Sequence, residues 1–77
     1  MADLQTIIEP LLLRADQAAR LLGISRSAFY SKVSAGLIIP AVYIGESPRW
    51  PVESLRVWVA AGCPAAEQFA AMQEARR

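Results

Sequence analysis

The sequence has no histidine and only one cysteine among its 77 residues. With Cys63 as the single thiol, it lacks the ligand clusters of a zinc site and the residues of a Ser/His or Cys/His nucleophilic centre. A Gly-rich phosphate-binding loop is also missing. These absences argue against an enzyme, and we expect no metal, no cofactor and no small-molecule ligand. Cys63 is expected to be an inert small residue.

Long apolar runs are also missing, since none approaches the roughly 20 residues that a membrane-spanning helix requires. The first residues do not combine a basic stretch with an apolar stretch and a small-residue cleavage site, as an export signal would. A lone cysteine cannot form a disulfide within the chain, which fits a reducing compartment. We therefore predict a cytoplasmic protein with no membrane partner.

A strong excess of one charge is missing as well, because the formal net charge is only +1. The distribution is more informative than the total. Residues 14–49 hold five basic and two acidic residues, a net +3, whereas the rest of the chain holds three basic and five acidic residues, a net −2. The positive charge is thus concentrated in one segment. With 55% hydrophobic residues, the chain can form one small core.

Hydrophobic periodicity predicts a mainly helical fold with a small β-hairpin. Glycine and proline mark the boundaries between elements, and Gly23, Gly36 and Gly62 each suit the end of a helix. Helices are expected over residues 15–22, 26–35, 51–59 and 65–77. A hairpin is expected over residues 41–50 with its turn at residues 45–48. Residues 11–13 are expected to be an extended lead-in, separated by Pro10 from Ile7 and Ile8.

The same periodicity predicts which side chains are buried. Ser25 is a good N-cap for the second helix, whereas Arg14 is a poor one, so the start of the first helix is weakly specified. Trp50 and Trp58 are expected in the core. The other expected core residues are Leu11, Leu12, Leu13, Ala18, Ala19, Leu21, Leu22, Phe29, Val33, Leu37, Val52, Leu55 and Val59.

Residues 15–33 predict two short helices joined by a tight turn at Gly23 and Ile24, as in a helix-turn-helix. Ala19 is the small residue needed where the helices cross, and Ser25 opens a second helix with an exposed polar face. The alternative is a plain helical hairpin, in which Ser25 is only a cap and Arg26 only a solvated charge.

If the second helix enters the major groove of DNA, each of its polar residues has a chemical role. Arg26 can read a guanine edge or clamp a phosphate. Ser25 and Ser27, with the first amides of the helix, suit a phosphate oxygen. Tyr30 can donate to a phosphate or pack on a sugar. Ser31 and Lys32 lie further along the same approach.

For two hairpin residues, the sequence does not decide between two roles. Arg49, near its tip, is either an ordinary surface charge or a contact to a phosphate or the minor groove. Tyr43 either packs within the strands or contacts a partner.

The residues also resemble a known family. LLLRADQAARLLGISRSAFYSKVSAGLIIPAVYIG, followed by RWPVESLRVWVAAG, is similar to the AlpA-like and phage excisionase-like small winged helix-turn-helix proteins, which are related to the MerR DNA-binding head. The matching features are the A-A-x-L-L-G-I-S-R-S-x-x-Y core, the Gly36 and Pro40 bracket, and the R-W-P start of a helix. The resemblance implies DNA binding as a prophage-type transcription regulator or as a directionality factor beside an integrase.

The resemblance further implies that Ser25, Arg26, Ser27, Tyr30 and Ser31 read or clamp the major groove, while the wing near Arg49 touches the adjacent backbone. Two positions depart from the family pattern. Arg14 stands where a Ser or Thr commonly caps the first helix, and Ser31 stands where a basic residue commonly follows the tyrosine. The second departure predicts weak binding by one subunit, offset by a second copy or a cooperative array on DNA.

We therefore interpret residues 1–62 as a winged helix-turn-helix DNA-binding domain and residues 63–77 as a helical tail. The expected function is sequence-specific binding of double-stranded DNA, with residues 26–35 in the major groove and residues 41–50 as the wing. The alternative is a protein-interaction module that keeps the fold without binding DNA. The tail, with Phe69 and Met72, packs either on its own domain or on a partner.

Overall fold

The computed structural model describes residues 10–75 of the chain. This part contains four α-helices and a three-stranded antiparallel sheet, in the order β1 (Leu12–Leu13), α1 (Ala15–Leu22), α2 (Arg26–Ser34), β2 (Val42–Ile44), β3 (Ser47–Pro51), α3 (Val52–Ala60) and α4 (Ala66–Ala75). The helices predicted from the sequence are confirmed, with small differences at their ends. Ile7, Ile8 and residues 76–77 lie outside the described part. Within it, no helix is both long and apolar enough to cross a bilayer.

The sheet has β3 at its centre, between β1 and β2. The expected extended lead-in is in fact a strand, since Leu13 pairs with Trp50 of β3. The hairpin turn is shorter than predicted, because Ile44 pairs with Ser47 and only residues 45–46 remain between the strands. Gly45 has a φ of 62°, which a two-residue turn of this kind requires at its first position.

The start of α1 is better specified than the sequence suggested. The backbone N–H of Arg14 donates to Oε1 of Gln17 at 2.9 Å, so a side chain from inside the helix satisfies the cap position. The Arg14 guanidinium also pairs with Asp16 at 3.3 Å. Gln17 therefore compensates for the poor capping side chain of Arg14.

One core holds the helices and the sheet together, and it includes Trp50 and Trp58 as predicted. The buried residues are Leu13, Ala15, Ala18, Ala19, Phe29, Ile38, Ile39, Trp50, Leu55, Trp58 and Phe69. The two indole N–H groups are both bonded to backbone carbonyls, Trp50 to Ile39 at 3.0 Å and Trp58 to Pro64 at 2.7 Å. The core therefore contains polar ring atoms without leaving them unsatisfied.

Four residues expected in the core are exposed: Leu11, Leu21, Leu37 and Val59. Leu21 is 63% exposed. The buried side of α1 is formed by Ala15, Ala18 and Ala19. Because Leu21 follows Ala19 by two positions, or about 200° around the helix, it lies outside that side. After the left-handed turn at Gly36, Leu37 remains exposed, and the two residues that follow it, Ile38 and Ile39, reach the core instead.

The tail helix α4 packs on its own domain. Phe69 belongs to the common core, and the N–H of Ala66 donates to the carbonyl of Gly36 at 2.9 Å. The sequence left open whether the tail packs on its own domain or on a partner, and Phe69 packs on its own domain. Met72 remains 41% exposed.

Candidate nucleic-acid interface

The connection between α1 and α2 is three residues long and is set by local chemistry. Gly23 has a φ of 76°, and the N–H of Ile24 donates to the carbonyl of Ala19 at 3.0 Å, as in a left-handed helix end. Ser25 is extended, and its Oγ accepts the N–H of Ala28 at 3.1 Å. The predicted cap is therefore confirmed.

The N-terminus of α2 is open to an external anion. The first amides of a helix precede its first internal hydrogen bond, and here those amides belong to Arg26 and Ser27. All three residues from Ser25 to Ser27 are exposed. The hydroxyl proton of Ser25 also stays available, because the cap uses only its oxygen. These donors can bind a phosphate oxygen.

The exposed face of α2 carries hydroxyl groups along its centre. Ser27, Ser31 and Ser34 are spaced i, i+4 and i+7, so they form one line on the helix surface, and all three are exposed. This line is opposite Phe29, which is fully buried. The face offers short donors and acceptors rather than charge, and short side chains allow a helix to lie close to another surface.

Arg26 and Tyr30 form one unit beside this line of serines. The guanidinium carbon of Arg26 lies 5.5 Å from the centre of the Tyr30 ring, a cation–π contact. A cation–π contact takes up no hydrogen-bond acceptor, so the N–H groups of the guanidinium can still donate to another molecule. The ring thus orients Arg26 without occupying the donors that would recognise a base or a phosphate.

Lys32 lies on the other flank of α2. Six helical positions separate it from Arg26, which places the two about 120° apart around the axis, across the buried side. Lys32 borders a separate hollow lined by Leu22, Ile24, Leu37, Ile38, Trp58 and Cys63. The structure therefore does not bring Lys32 together with Arg26, Tyr30 and Ser31, as the sequence interpretation supposed.

Arg49 lies on the central strand β3. It is half-buried on β3, opposite Val42, and its Nη1 donates to the carbonyl of Pro48 at 2.7 Å. The turn itself exposes Glu46, a negative charge that would repel a phosphate. Among hairpin residues 42–51, Arg49 is the one with a positively charged side chain, so its remaining donors are the main candidates for contact with a polyanion.

A groove of about 300 Å³ separates α2 from the hairpin. Tyr30 forms part of one wall and Tyr43 part of the other. The remaining lining is Val33, Pro40, Ala41, Pro48 and Trp50. Tyr43 is 65% exposed, so the side chain whose role the sequence left open faces this groove rather than the core.

A second basic region was missed by the sequence analysis. Arg14, Arg20 and Arg56 line a hollow between α1 and α3. Arg14 and Arg20 lie at the start and near the end of α1, and Arg56 lies on α3, more than 30 residues later in the chain. No sequence spacing links them, and only the packing of α3 beside α1 brings them together.

The chain was compared with models of known protein families, with curated proteins and with solved structures, and no match was found. A functional assignment therefore depends on the arrangement just described. Its main features are an open helix N-terminus at Ser25, an oriented guanidinium at Arg26 and an uncharged hydroxyl line on α2.

Proposed function

We propose that this protein is a winged helix-turn-helix that binds double-stranded DNA with sequence specificity. In this proposal α2 enters the major groove, and the β2–β3 hairpin is the wing that lies against the adjacent backbone. The observation that carries the proposal is the Arg26–Tyr30 unit, which stands beside an exposed polar helix face at an open helix N-terminus. Major-groove recognition by a helix uses this combination of base-reading and phosphate-binding donors.

Some residues position α2 on the duplex, and others recognise base edges. The helix N-terminus with Ser25 and Ser27 binds a phosphate and sets the register of α2 on the duplex. Arg26 donates to base edges, with guanine as its best partner. Ser31 reaches an adjacent base edge, and the Tyr30 hydroxyl donates to the flanking phosphate. Lys32 adds a phosphate contact from the other flank of α2, and Arg49 adds one from the wing.

The lightly charged face of α2 limits the affinity of one subunit. Each neutralised phosphate contributes to the salt-dependent part of binding, and Arg26, Lys32 and Arg49 provide few such contacts. A second copy on a neighbouring site, or a partner such as an integrase, would supply the remainder. We therefore propose a role without catalysis, in the cytoplasm, as a transcription regulator or a recombination directionality factor.

A binding selection tests this proposal. Duplex DNA with a randomised central region is incubated with the full chain, bound duplexes are recovered over several rounds, and the enriched sequence is compared with a scrambled duplex by fluorescence anisotropy. We expect an enriched motif that binds at least 100-fold more tightly than the scrambled duplex, about 2.7 kcal/mol. No enrichment, and no gel shift of any duplex at low salt, would exclude DNA binding.

The β2 strand favours a second candidate, a protein-interaction module on the same fold. Its three residues, Val42, Tyr43 and Ile44, are all apolar and all exposed, and exposed apolar edge strands pair readily with other chains. This function predicts a stable protein complex that is lost in Tyr43→Lys, together with no binding to DNA at low salt.

A further inference from the structure

The groove between α2 and the hairpin has a phenol side chain on each of its two walls. Tyr30 belongs to the α2 wall and Tyr43 to the hairpin wall. Neither hydroxyl makes a hydrogen bond to another residue within the described part of the chain. The two side chains are 43% and 65% exposed. Both hydroxyls can therefore donate to a molecule that enters the groove.

The charge around this groove favours an anion. None of the described residues that line it is acidic. On the α2 wall, the guanidinium of Arg26 lies 5.5 Å from the centre of the Tyr30 ring. On the hairpin wall, Arg49 donates to the carbonyl of Pro48 at 2.7 Å, which uses one N–H group and leaves the others available. Glu46 lies in the turn, outside the lining.

The rest of the lining is largely apolar. Val33, Ala41 and Pro48 contribute side chains without hydrogen-bonding groups. A ligand that fits the groove must therefore combine an anionic group with an apolar one. A deoxyribose–phosphate strand does so, because its phosphate oxygens accept hydrogen bonds and the carbon atoms of its sugars pack on apolar side chains.

The two walls are joined through the core. Trp50 lines the groove on the hairpin side, and its ring meets the ring of Phe29 from α2 edge to face at 4.8 Å. Both residues are buried. The spacing of the walls is therefore set before a ligand binds, which lowers the entropic cost of binding.

We infer that one sugar–phosphate strand of the bound duplex lies in this groove, with the Tyr30 hydroxyl donating to it from α2 and the Tyr43 hydroxyl from β2. The inference rests on the proposed function and adds Tyr43 to it as a phosphate-binding residue. In a duplex, one strand separates the major groove from the adjacent minor groove. With α2 in the major groove and the wing against the adjacent backbone, this strand passes between the two elements, where the groove lies.

Fluorescence anisotropy with the full chain and the selected duplex tests this inference. Tyr43→Phe removes only the hydroxyl and should weaken binding about threefold to tenfold, the range for one hydrogen bond. Tyr43→Ala also removes the ring and should weaken binding further. The matched control is Ile44→Ala, at an exposed neighbour on β2 that lies on the opposite face of the strand and outside the groove lining. It should bind like the unsubstituted chain.

Uncharged phosphates locate the contact. The selected duplex is prepared with a single neutral methylphosphonate at each backbone position of the motif in turn. At one position, the loss caused by Tyr43→Phe should shrink to less than about twofold, because the hydroxyl no longer has a charged acceptor. The loss caused by Tyr30→Phe should shrink at the same position or at its neighbour on the same strand. A loss of unchanged size at every position would overturn the inference.

The outcomes separate this inference from the proposed function. If no duplex is selected, DNA binding fails and the inference fails with it. If the selected duplex is bound and Arg26→Ala weakens binding, but Tyr43→Phe and Tyr43→Ala bind like the unsubstituted chain, only the inference is overturned. An equal loss in Ile44→Ala would also overturn it, because the effect would then belong to the strand as a whole.

Discussion

The rings of Phe29 and Trp50 meet edge to face, with their centroids 4.8 Å apart and their planes at 78°. Phe29 comes from the buried side of α2 and Trp50 from the central strand β3. The indole N–H of Trp50 also bonds to Ile39, in the segment that leaves α2. This aromatic pair therefore holds the buried side of α2 against the central strand, in addition to the packing of α2 on α1.

Replacing Phe29 by leucine should destabilise the fold while keeping an apolar side chain. We expect the free energy of unfolding to fall by about 1–2 kcal/mol, because the edge-to-face contact and some packing are lost. Urea unfolding followed by tryptophan fluorescence measures this. Tyr43→Leu removes an exposed ring as a control and should change stability by less than about 0.5 kcal/mol. Equal losses in the two variants would contradict the role given to Phe29.

The left-handed turn between α1 and α2 can be tested at Gly23. A Cβ added there would meet no atom within 4 Å, so any loss of stability must come from the backbone. With a φ of 76°, Gly23→Ala should cost about 1–2 kcal/mol. Gly23→Asn should cost less, since asparagine tolerates this conformation. Thermal unfolding by circular dichroism compares the two, and identical losses would show that the turn has relaxed to another conformation.

The limits of the helices could be predicted because their signals are local. Gly23 and Ser25 act on backbone groups within a few positions, so the end of α1 and the start of α2 follow from the sequence. The polar face of α2 was predictable for the same reason, because helical spacing alone puts Ser27 and Ser31 on one line. The Arg26–Tyr30 contact also joins residues four positions apart, so it too is local in the sequence.

Burial at the margins of the helices could not be predicted, because it depends on which element packs there. The pattern alone does not say that α3 leaves Leu21 and Val59 uncovered, or that Arg20 and Arg56 become neighbours. The pairing of Leu13 with Trp50 is a further long-range contact of this kind. Arg49 could be placed near the turn from the sequence, but its bond to the carbonyl of Pro48 could not.

The Arg14–Asp16 pair predicts a small dependence of stability on pH. Arg14 lowers the pKa of the Asp16 carboxyl in the folded state. Such a group stabilises the fold above the ordinary carboxyl pKa, and this contribution is lost as the pH falls through the lowered, folded-state pKa. Because both side chains are more than half exposed, the effect is small.

Asp16→Asn should therefore lower the free energy of unfolding slightly at neutral pH. The difference from the unsubstituted protein should vanish in acid, below the folded-state pKa of Asp16. Urea titrations at a series of pH values measure the stability difference at neutral pH and its loss in acid. A difference that persisted in acid would mean that Asp16 acts through something other than its charge.

Ser25 has two roles that substitution can separate. Ser25→Ala should cost about 1 kcal/mol of stability through loss of the bond from the Ala28 amide, whereas Ser27→Ala should cost less than about 0.5 kcal/mol. Ser25→Asp keeps a capping oxygen and should stay stable, but its negative charge would face the phosphates and weaken DNA binding. If Ser25→Asp bound DNA as tightly as the unsubstituted protein, Ser25 would lie outside the interface.

Arg26 is the residue on which specific recognition should depend most. Arg26→Ala should weaken binding to the selected duplex by about 1–3 kcal/mol if the guanidinium reads a base, with little effect on a scrambled duplex. If it clamps a phosphate instead, binding to both duplexes should weaken alike and the salt slope should fall by about 1. Anisotropy titrations at several salt concentrations distinguish the two.

Arg20→Ala is the matched control for Arg26→Ala, since it removes the same exposed charge from α1 instead of α2. It should leave the affinity of a single subunit for DNA nearly unchanged, provided that protein concentrations are kept low enough to prevent association between copies. An Arg26→Ala variant with unchanged affinity and unchanged salt slope would show that the guanidinium held over Tyr30 does not touch DNA. The polar face of α2 would then need another partner, and the protein-interaction function suggested by β2 would become the better assignment.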